Sequence, residues 1–388
     1  MTIFDEQINR KQTNCVKWDS IVQTYHADDL LPLWVADMDF LAPTPVINAF
    51  ESYSARGLFG YSITPDSLYQ AIINWQKKRH GYSIEKEEIL FSSGVVPSIA
   101  LAVQSYTDEG DSVLIHDPVY HPFAAVVTEN HRNLVRSTLI EENNHFVMNL
   151  EEMERLIIAH QVKLFILCNP HNPGGRVWTK EELAAVGNLC KKHGVLVVSD
   201  EIHQDLIFKP YTFTSFQLAD PTFEEFSLVF TAATKTFNLA GIKNSMVFIK
   251  NPKLRARFQE TQKRNQQGEI NTFGYIGTEA AYNHGGTWLD ELLPYLQENV
   301  QFVKTYLSEK LPSVHVMCPE GTYLMWLDFS AFGLSDKELE THLIEKAKVV
   351  LNSGIIFGSK GTGHMRLNVA CPRATLEEGL SRIVQSFS

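Results

Sequence analysis

The chain has 388 residues, too many for one small core and suited to roughly two domains of about 150 residues or more. It is 44% hydrophobic and 20% charged, the balance of an ordinary globular protein. A net charge of −11, from 34 basic against 45 acidic side chains, disfavours nonspecific binding to nucleic acid or anionic membrane, which both draw on basic patches.

The opening residues, "MTIFDEQINRKQTNCVKWDS", lack the apolar stretch of a secretory signal. Apolar runs such as "LFILC" and "VLVV" fall far short of the ~20 residues that span a bilayer. The five cysteines are odd in number, widely spaced and without a CxxC pair, which reads as reduced thiols in a cytoplasmic protein. From about residue 86 to 250, short apolar runs alternate with helical patterns. "EILFSS", "SVLIHD", "VKLFILC", "VLVVSD", "SLVFTAA" and "NSMVFI" read as strands, with "PSIALAVQSY" and "TKEELAAVGNLCKKH" among the helices. Strands apolar throughout suit a sheet buried on both faces, and strand–helix alternation predicts an α/β fold with a mostly parallel sheet. Beyond a boundary near residue 285 the pattern changes. A long helix over "WLDELLPYLQENVQFVKTYLSEKL" is followed by "VHVMCPEGTYLMWLDFS", a helix over "SDKELETHLIEKAKVV" and the strand "GHMRLNV", the pattern of a smaller α+β domain.

Ligands of parallel sheets sit at the carboxyl ends of the strands, so the residues just past each apolar run are informative. After "EILFSS", Gly94 feeds a helix whose first N–H groups, at Val95 and Val96, suit a phosphate, although a plain strand–helix turn has the same form. Tyr120 follows "SVLIHDPV", where it serves either as a ring to stack on a flat ligand or as a core residue. "NPHNPGG", residues 169–175, is a rigid irregular loop whose asparagine amides are able to donate into a site. Asp200 directly follows a buried strand and there needs a cationic partner, unless it caps a helix. Lys235 follows "SLVFTAAT", where low dielectric lowers the pKa of an amine and makes it a nucleophile or base. A phosphate cradle, a stacking ring, an amide donor, an acid and an amine at one sheet edge are the set that pyridoxal 5′-phosphate (PLP) requires. "GSKGTG" lacks the spacing of a phosphate-binding P-loop, and Cys168 with His171 is a lone pair at poor zinc spacing, so no metal is expected.

"NPHNPGG", "SDEIH" and "ATKTFNLAGIK" resemble, in order and spacing along nearly the whole chain, the fold-type I PLP enzymes of the aminotransferase class I/II superfamily. "LPLWVADMDF", "GLFGYS" and "SSGVVPSI" are similar to the MalY/PatB branch of cystathionine β-lyases and cysteine C–S lyases. The resemblance implies a large domain over residues 46–285, with a mostly parallel seven-stranded sheet in an α/β/α sandwich, and a small domain from residues 1–45 with 286–388. It implies that Lys235 bonds the cofactor and acts as base, that Asp200 keeps the ring nitrogen protonated, and that Asn172 bonds the ring oxygen with His203 nearby. Tyr120 would stack on the ring. Val95, Val96, Thr234 and Lys243 would bind the phosphate, and Tyr61 would reach the cofactor phosphate of the second subunit in a homodimer. Arg366 would hold the substrate carboxylate, with Asn172 and Tyr120 beside it. Many aminotransferases carry arginine eight residues past the cofactor lysine and serine three before it, where this chain has Lys243 and Ala232. Lysine at 243 resembles the lyase branch. The implied activity is PLP-dependent β-elimination from L-cystathionine, L-cysteine and related S-conjugates to pyruvate, ammonia and a thiol. An aminotransferase of neutral or aromatic amino acids is the second expectation, and a regulatory protein that keeps the fold is the third.

Overall fold

A computed structural model describes residues 2–387. Its main sheet is formed by β1 (Ile89–Ser92), β2 (Ser112–Asp117), β3 (Asn133–Glu142), β4 (His145–Met148), β5 (Leu164–Cys168), β6 (Leu196–Asp200), β7 (Ser227–Thr231) and β8 (Ser245–Phe248). The spatial order is β1-β8-β7-β6-β5-β2-β3-β4. The run β7, β6, β5, β2, β3 is parallel, while β8 and β4 run against their neighbours. Every residue of β2, β5 and β7 is buried, because helices cover both faces.

The sheet has eight strands rather than seven, and the surplus explains itself. β3 alternates buried with part-exposed positions and pairs with β4 as an edge hairpin, so it lacks the unbroken apolar run of its neighbours. The helix Val95–Tyr106 follows β1 directly, and Lys180–His193 starts on a capping box between Thr179 and Glu182.

A second sheet contains β9 (His315–Val316), β10 (Leu324–Asp328), β11 (Asn352–Ser353) and β12 (His364–Asn368), in the order β9-β10-β12-β11 with antiparallel pairs. The 25-residue helix Gly286–Lys310 buries Leu289, Leu292, Leu296, Val303 and Leu307, positions spaced to keep one stripe against the core. Leu31–Pro32 pairs in parallel with Val349–Val350, which ties the N-terminal segment to this C-terminal half.

From that pairing the chain runs as a strap, Trp34–Phe40, across the carboxyl edge of the main sheet. Its carbonyls are held from several sides. Asn368 donates to Val35 and Asp37, Asn238 to Met38 and Phe40, and Tyr323 to Ala36. A backbone so fully satisfied by side chains has little freedom to move.

Candidate active site

The carboxyl ends of β1, β2, β5, β6 and β7 converge on a cleft lined by Ala36, Val95, Val96, Tyr120, Cys168, Asn172, Asp200, Ile202, His203 and Lys235. A larger, more open hollow lies between Phe208–Tyr211 and the long helix, but it lacks the convergent buried ionisable groups of this cleft.

The loop after β5 is built first by backbone. Asn169–Pro170 and Asn172–Pro173 are cis. Gly175 has a left-handed φ of 67°, and a Cβ there would lie 2.5 Å from that of Pro319. Only glycine fits, and the loop is locked against residues 319–321. His171 is fully buried; its Nε2 donates to Pro118 O (2.9 Å) and its Nδ1 accepts from Gly174 N–H (3.3 Å). Burial pulls its pKa down to about 4, so a neutral ring ties this loop to the one carrying Tyr120.

Lys235 stands on a four-residue helical turn, Ala233–Thr236, directly after β7. Its Nζ donates to Ala36 O at 2.6 Å. Burial, then the nearby Arg366 cation, pulls its pKa from 10.5 to about 8, although Asp37 and Asp200 oppose the shift. Asp200 ends β6, and its carboxylate takes one hydrogen bond, from Ile202 N–H at 3.1 Å. Burial pushes it up from 3.8 to about 7. His203 is buried with Nδ1 unpartnered and, through burial and then Lys235, is held down at about 3. A carboxyl lifted by burial and a neutral imidazole beside it make a place for a cationic ring nitrogen, which would relieve the acid.

Arg366, on β12, is buried and reaches over the same edge. Its two terminal nitrogens donate to Asn172 Oδ1 (3.0 Å), Asn352 Oδ1 (2.6 Å) and Trp34 O (3.2 Å), while Nε has no partner. Among the described residues no carboxylate pairs with it. A buried guanidinium with neutral partners and an unused donor is suited to an incoming carboxylate. Asn172 spends its oxygen on Arg366, which leaves its amide nitrogen for a ligand.

The sequence-predicted residues therefore separate. Lys235, Asp200, Asn172, His203, Tyr120, Val95 and Val96 line one cleft, Arg366 bonds its wall, and Thr234 is buried on the Lys235 turn. Lys243 does not line the cleft; it is exposed, in a left-handed conformation with φ 46°. Tyr61 is fully exposed with Leu58, Phe59 and Ile63 on a projecting segment. Two participants have roles that sequence reasoning missed. Ala36, inside "LPLWVADMDF", contributes only a carbonyl, and Tyr323 is fully buried with its hydroxyl 3.0 Å from that carbonyl.

The arrangement fits PLP: an aldehyde-seeking amine, an acid for the ring nitrogen, an amide for the ring oxygen and a helix N-terminus at Val95 for the phosphate. The sequence profile of the family described as "Aminotransferase class I and II" matches residues 28–383. The cystathionine β-lyase PatB of Bacillus subtilis is 42% identical, over 99% of this chain and all of the relative. The crystal structure of a PLP-bound putative aminotransferase from Clostridium difficile superposes with a TM-score of 0.97 at 42% identity, covering 99% of both chains. Cystalysin of Treponema denticola, which contains PLP, gives 0.96 at 34% identity over 99% of this chain and 98% of its own.

Proposed function

The chain belongs to the aminotransferase class I and II family, and from that premise we propose a PLP-dependent β-elimination: cleavage of the C–S bond of L-cystathionine, L-cysteine and related conjugates. The products are pyruvate, ammonia and a thiol. The observation that carries the reading is Lys235, a half-buried amine lowered to about 8 by desolvation and by the Arg366 cation, in a chain 42% identical to a cystathionine β-lyase.

PLP, when bound, supplies an aldehyde that bonds amines and a ring that withdraws electrons from the substrate Cα. Lys235 would hold the cofactor between turnovers and, once freed, would take the Cα proton as the Cβ–S bond breaks and the thiolate leaves with the bonding pair, a task that needs an amine poised near working pH. Asp200 would hold a proton on the ring nitrogen, with His203 beside it. Asn172 would donate to the ring oxygen and Tyr120 would cover the ring. Arg366 orients the substrate by its carboxylate, so that the Cα proton faces Lys235. Val95 and Val96 N–H groups, the Thr234 hydroxyl and the Lys243 charge would hold the phosphate. Tyr61 would reach the cofactor phosphate of the second copy in a homodimer, with the exposed Leu58–Ile63 segment extending toward that copy. We take residues 46–285 as the large domain and 1–45 with 286–388 as the small one. All eight strands of the main sheet and all four of the second fall within those limits, which supports the division. Among the described residues no helix is long and apolar enough to cross a membrane, and the five cysteines are free; both support a cytoplasmic enzyme.

The test is pyruvate release from L-cystathionine with no added keto acid, in wild type and Lys235→Ala. Wild type should release pyruvate and the variant should not. An aminotransferase acting on a neutral or aromatic amino acid is the second reading, favoured by the likeness to the putative aminotransferase structure. It takes over if amino transfer needs a keto acid and pyruvate is negligible.

A further inference from the structure

Beside the site lies a buried carboxylate that the chemistry above does not use. Asp205 sits five residues after Asp200, with its side chain 1% exposed. Its Oδ1 accepts from Trp75 Nε1 (3.0 Å) and His80 Nε2 (2.8 Å), both on the helix Asp66–His80. Its Oδ2 accepts from Thr236 Oγ1 at 2.7 Å. Thr236 is fully buried and is the residue immediately after Lys235.

We propose that Asp205 and Thr236 are positioning residues that brace the Lys235 turn against the loop carrying Asp200 and His203. The need for a brace follows from length. Ala233–Thr236 is a single helical turn, and one turn does not set its own orientation, because nucleating it fixes several dihedrals for one hydrogen bond. Something outside must fix the direction in which Lys235 leaves the backbone. Thr236 Oγ1 to Asp205 Oδ2 is a side-chain bond between that turn and the 200–205 loop. The far side of Asp205 is anchored in turn. Trp75 stacks on Tyr282 with ring centroids 5.0 Å apart and packs edge-on to Phe237, one residue past Thr236. A buried carboxylate is a costly way to fill space, since an apolar residue of similar volume serves stability as well. Three donors converging on two oxygens instead fix the carboxylate in one orientation. Burial raises the Asp205 pKa, but His80, Thr236 and Trp75 more than offset it and hold it below the ordinary value, so it remains an anion. The spacing between the Lys235 amine and the Asp200 acid is thereby set by a third residue that touches neither.

This inference rests on Lys235 as the cofactor-bearing residue and not on the choice between lyase and aminotransferase. Thr236→Val keeps the branched shape and removes the hydroxyl; Thr236→Ser keeps the hydroxyl. In the holoenzyme, cofactor release is followed by the visible absorbance of bound PLP, kcat and KM are measured separately, and melting is recorded with excess cofactor. Thr236→Val should lower kcat by roughly 10- to 100-fold through misplacement of Lys235, with KM little changed and faster cofactor release. Thr236→Ser should restore both, and Asp205→Asn should repeat the Val phenotype. Wild-type kcat and release in Thr236→Val would overturn the brace. So would a loss that follows the melting temperature alone, with Ser no better than Val. If Lys235→Ala and wild type retain PLP alike, the Lys235 assignment itself falls; if they differ while Thr236→Val matches wild type, only the brace falls.

Discussion

Two lysine–aspartate sets lie against the strap, and they are treated in opposite ways. In the first, Lys17 is fully buried, with Nζ 2.7 Å from Asp39 and 3.8 Å from Asp37. Asp39 also takes Arg10 (2.7 Å) and the Trp18 indole (2.9 Å). Burial raises the Asp39 pKa, yet Lys17, Trp18 and Arg10 outweigh it and leave the carboxyl below its ordinary value. In the second set Lys235 has only a carbonyl for a partner, and Asp200 only one backbone N–H. There burial wins: the amine falls to about 8 and the acid rises to about 7. The same residue types give a structural ion cluster when every charge is matched and a reactive site when the partners are withheld.

The sharpest way to break this contrast is to delete each lysine. Lys235→Ala should lower turnover by at least about 10³-fold, the scale of losing a positioned general base, without lowering the melting temperature of cofactor-free protein. Lys17→Met should do the reverse. It leaves Asp39 buried and short of its main counter-charge, at a cost of about 3–5 kcal/mol in urea unfolding, while the folded fraction keeps its kcat. Equal stability losses in the two variants would erase the distinction.

Titration separates the two acids next. Asp200 is raised in the folded state, from 3.8 to about 7, so the folded protein binds the extra proton between those values. Its stability contribution is full below about pH 4 and is lost as pH climbs through 7, at most roughly 4 kcal/mol for three units. His171 and His203, held down at about 4 and 3, carry the opposite slope over part of this range, so the readout is a difference: cofactor-free wild type should lose stability relative to Asp200→Asn as pH rises from 5 to 8. The neighbouring Glu201, also raised to about 7 by burial, is present in both proteins and cancels in that difference. Asp39 carries the opposite sign: its contribution is present above about pH 4 and lost as pH falls further, outside this window. A variant with the wild-type slope between pH 5 and 8 would show that Asp200 is not the strained acid.

The difference between the two sets also explains what the sequence made legible. Lys235 and Asp200 each directly follow an apolar strand, so position along the chain already betrayed them, and their spacing to "NPHNPGG" identified the cofactor. The sheet was legible wherever strands are buried on both faces, and illegible at β3–β4, where an edge hairpin alternates. The ion cluster had no such signature. Arg10 and Lys17 lie in an ordinary-looking charged N-terminus, Asp39 sits in "LPLWVADMDF" with no sign of its partners, and only the fold brings the three together. Backbone groups leave no trace in sequence, which hid Ala36. Asp205 was hidden by distance, since its partners Trp75, His80 and Thr236 lie 130, 125 and 31 residues away.

The smallest effects test whether the strap transmits anything between the two sets. Trp18→Phe and Tyr323→Phe each remove one donor, at 2.9 Å to Asp39 and 3.0 Å to Ala36 O respectively. Trp18 bonds a charged acceptor, so its loss should cost about 1.5–3 kcal/mol, while Tyr323 bonds a neutral carbonyl and should cost about 0.5–1.5 kcal/mol. Activity should rank the other way. Asp39 keeps Lys17 and Arg10 after Trp18→Phe, so the strap stays in place and KM is unchanged. Tyr323→Phe leaves Ala36 O with Lys235 alone, two residues from the Trp34 carbonyl that receives Arg366. Loosening there misplaces the arginine that binds the substrate carboxylate. KM should then rise by up to about tenfold, the equivalent of one weakened hydrogen bond, with kcat near wild type. If Trp18→Phe raises KM as much as Tyr323→Phe does, the strap is one rigid unit, and the ion cluster belongs to the active site after all.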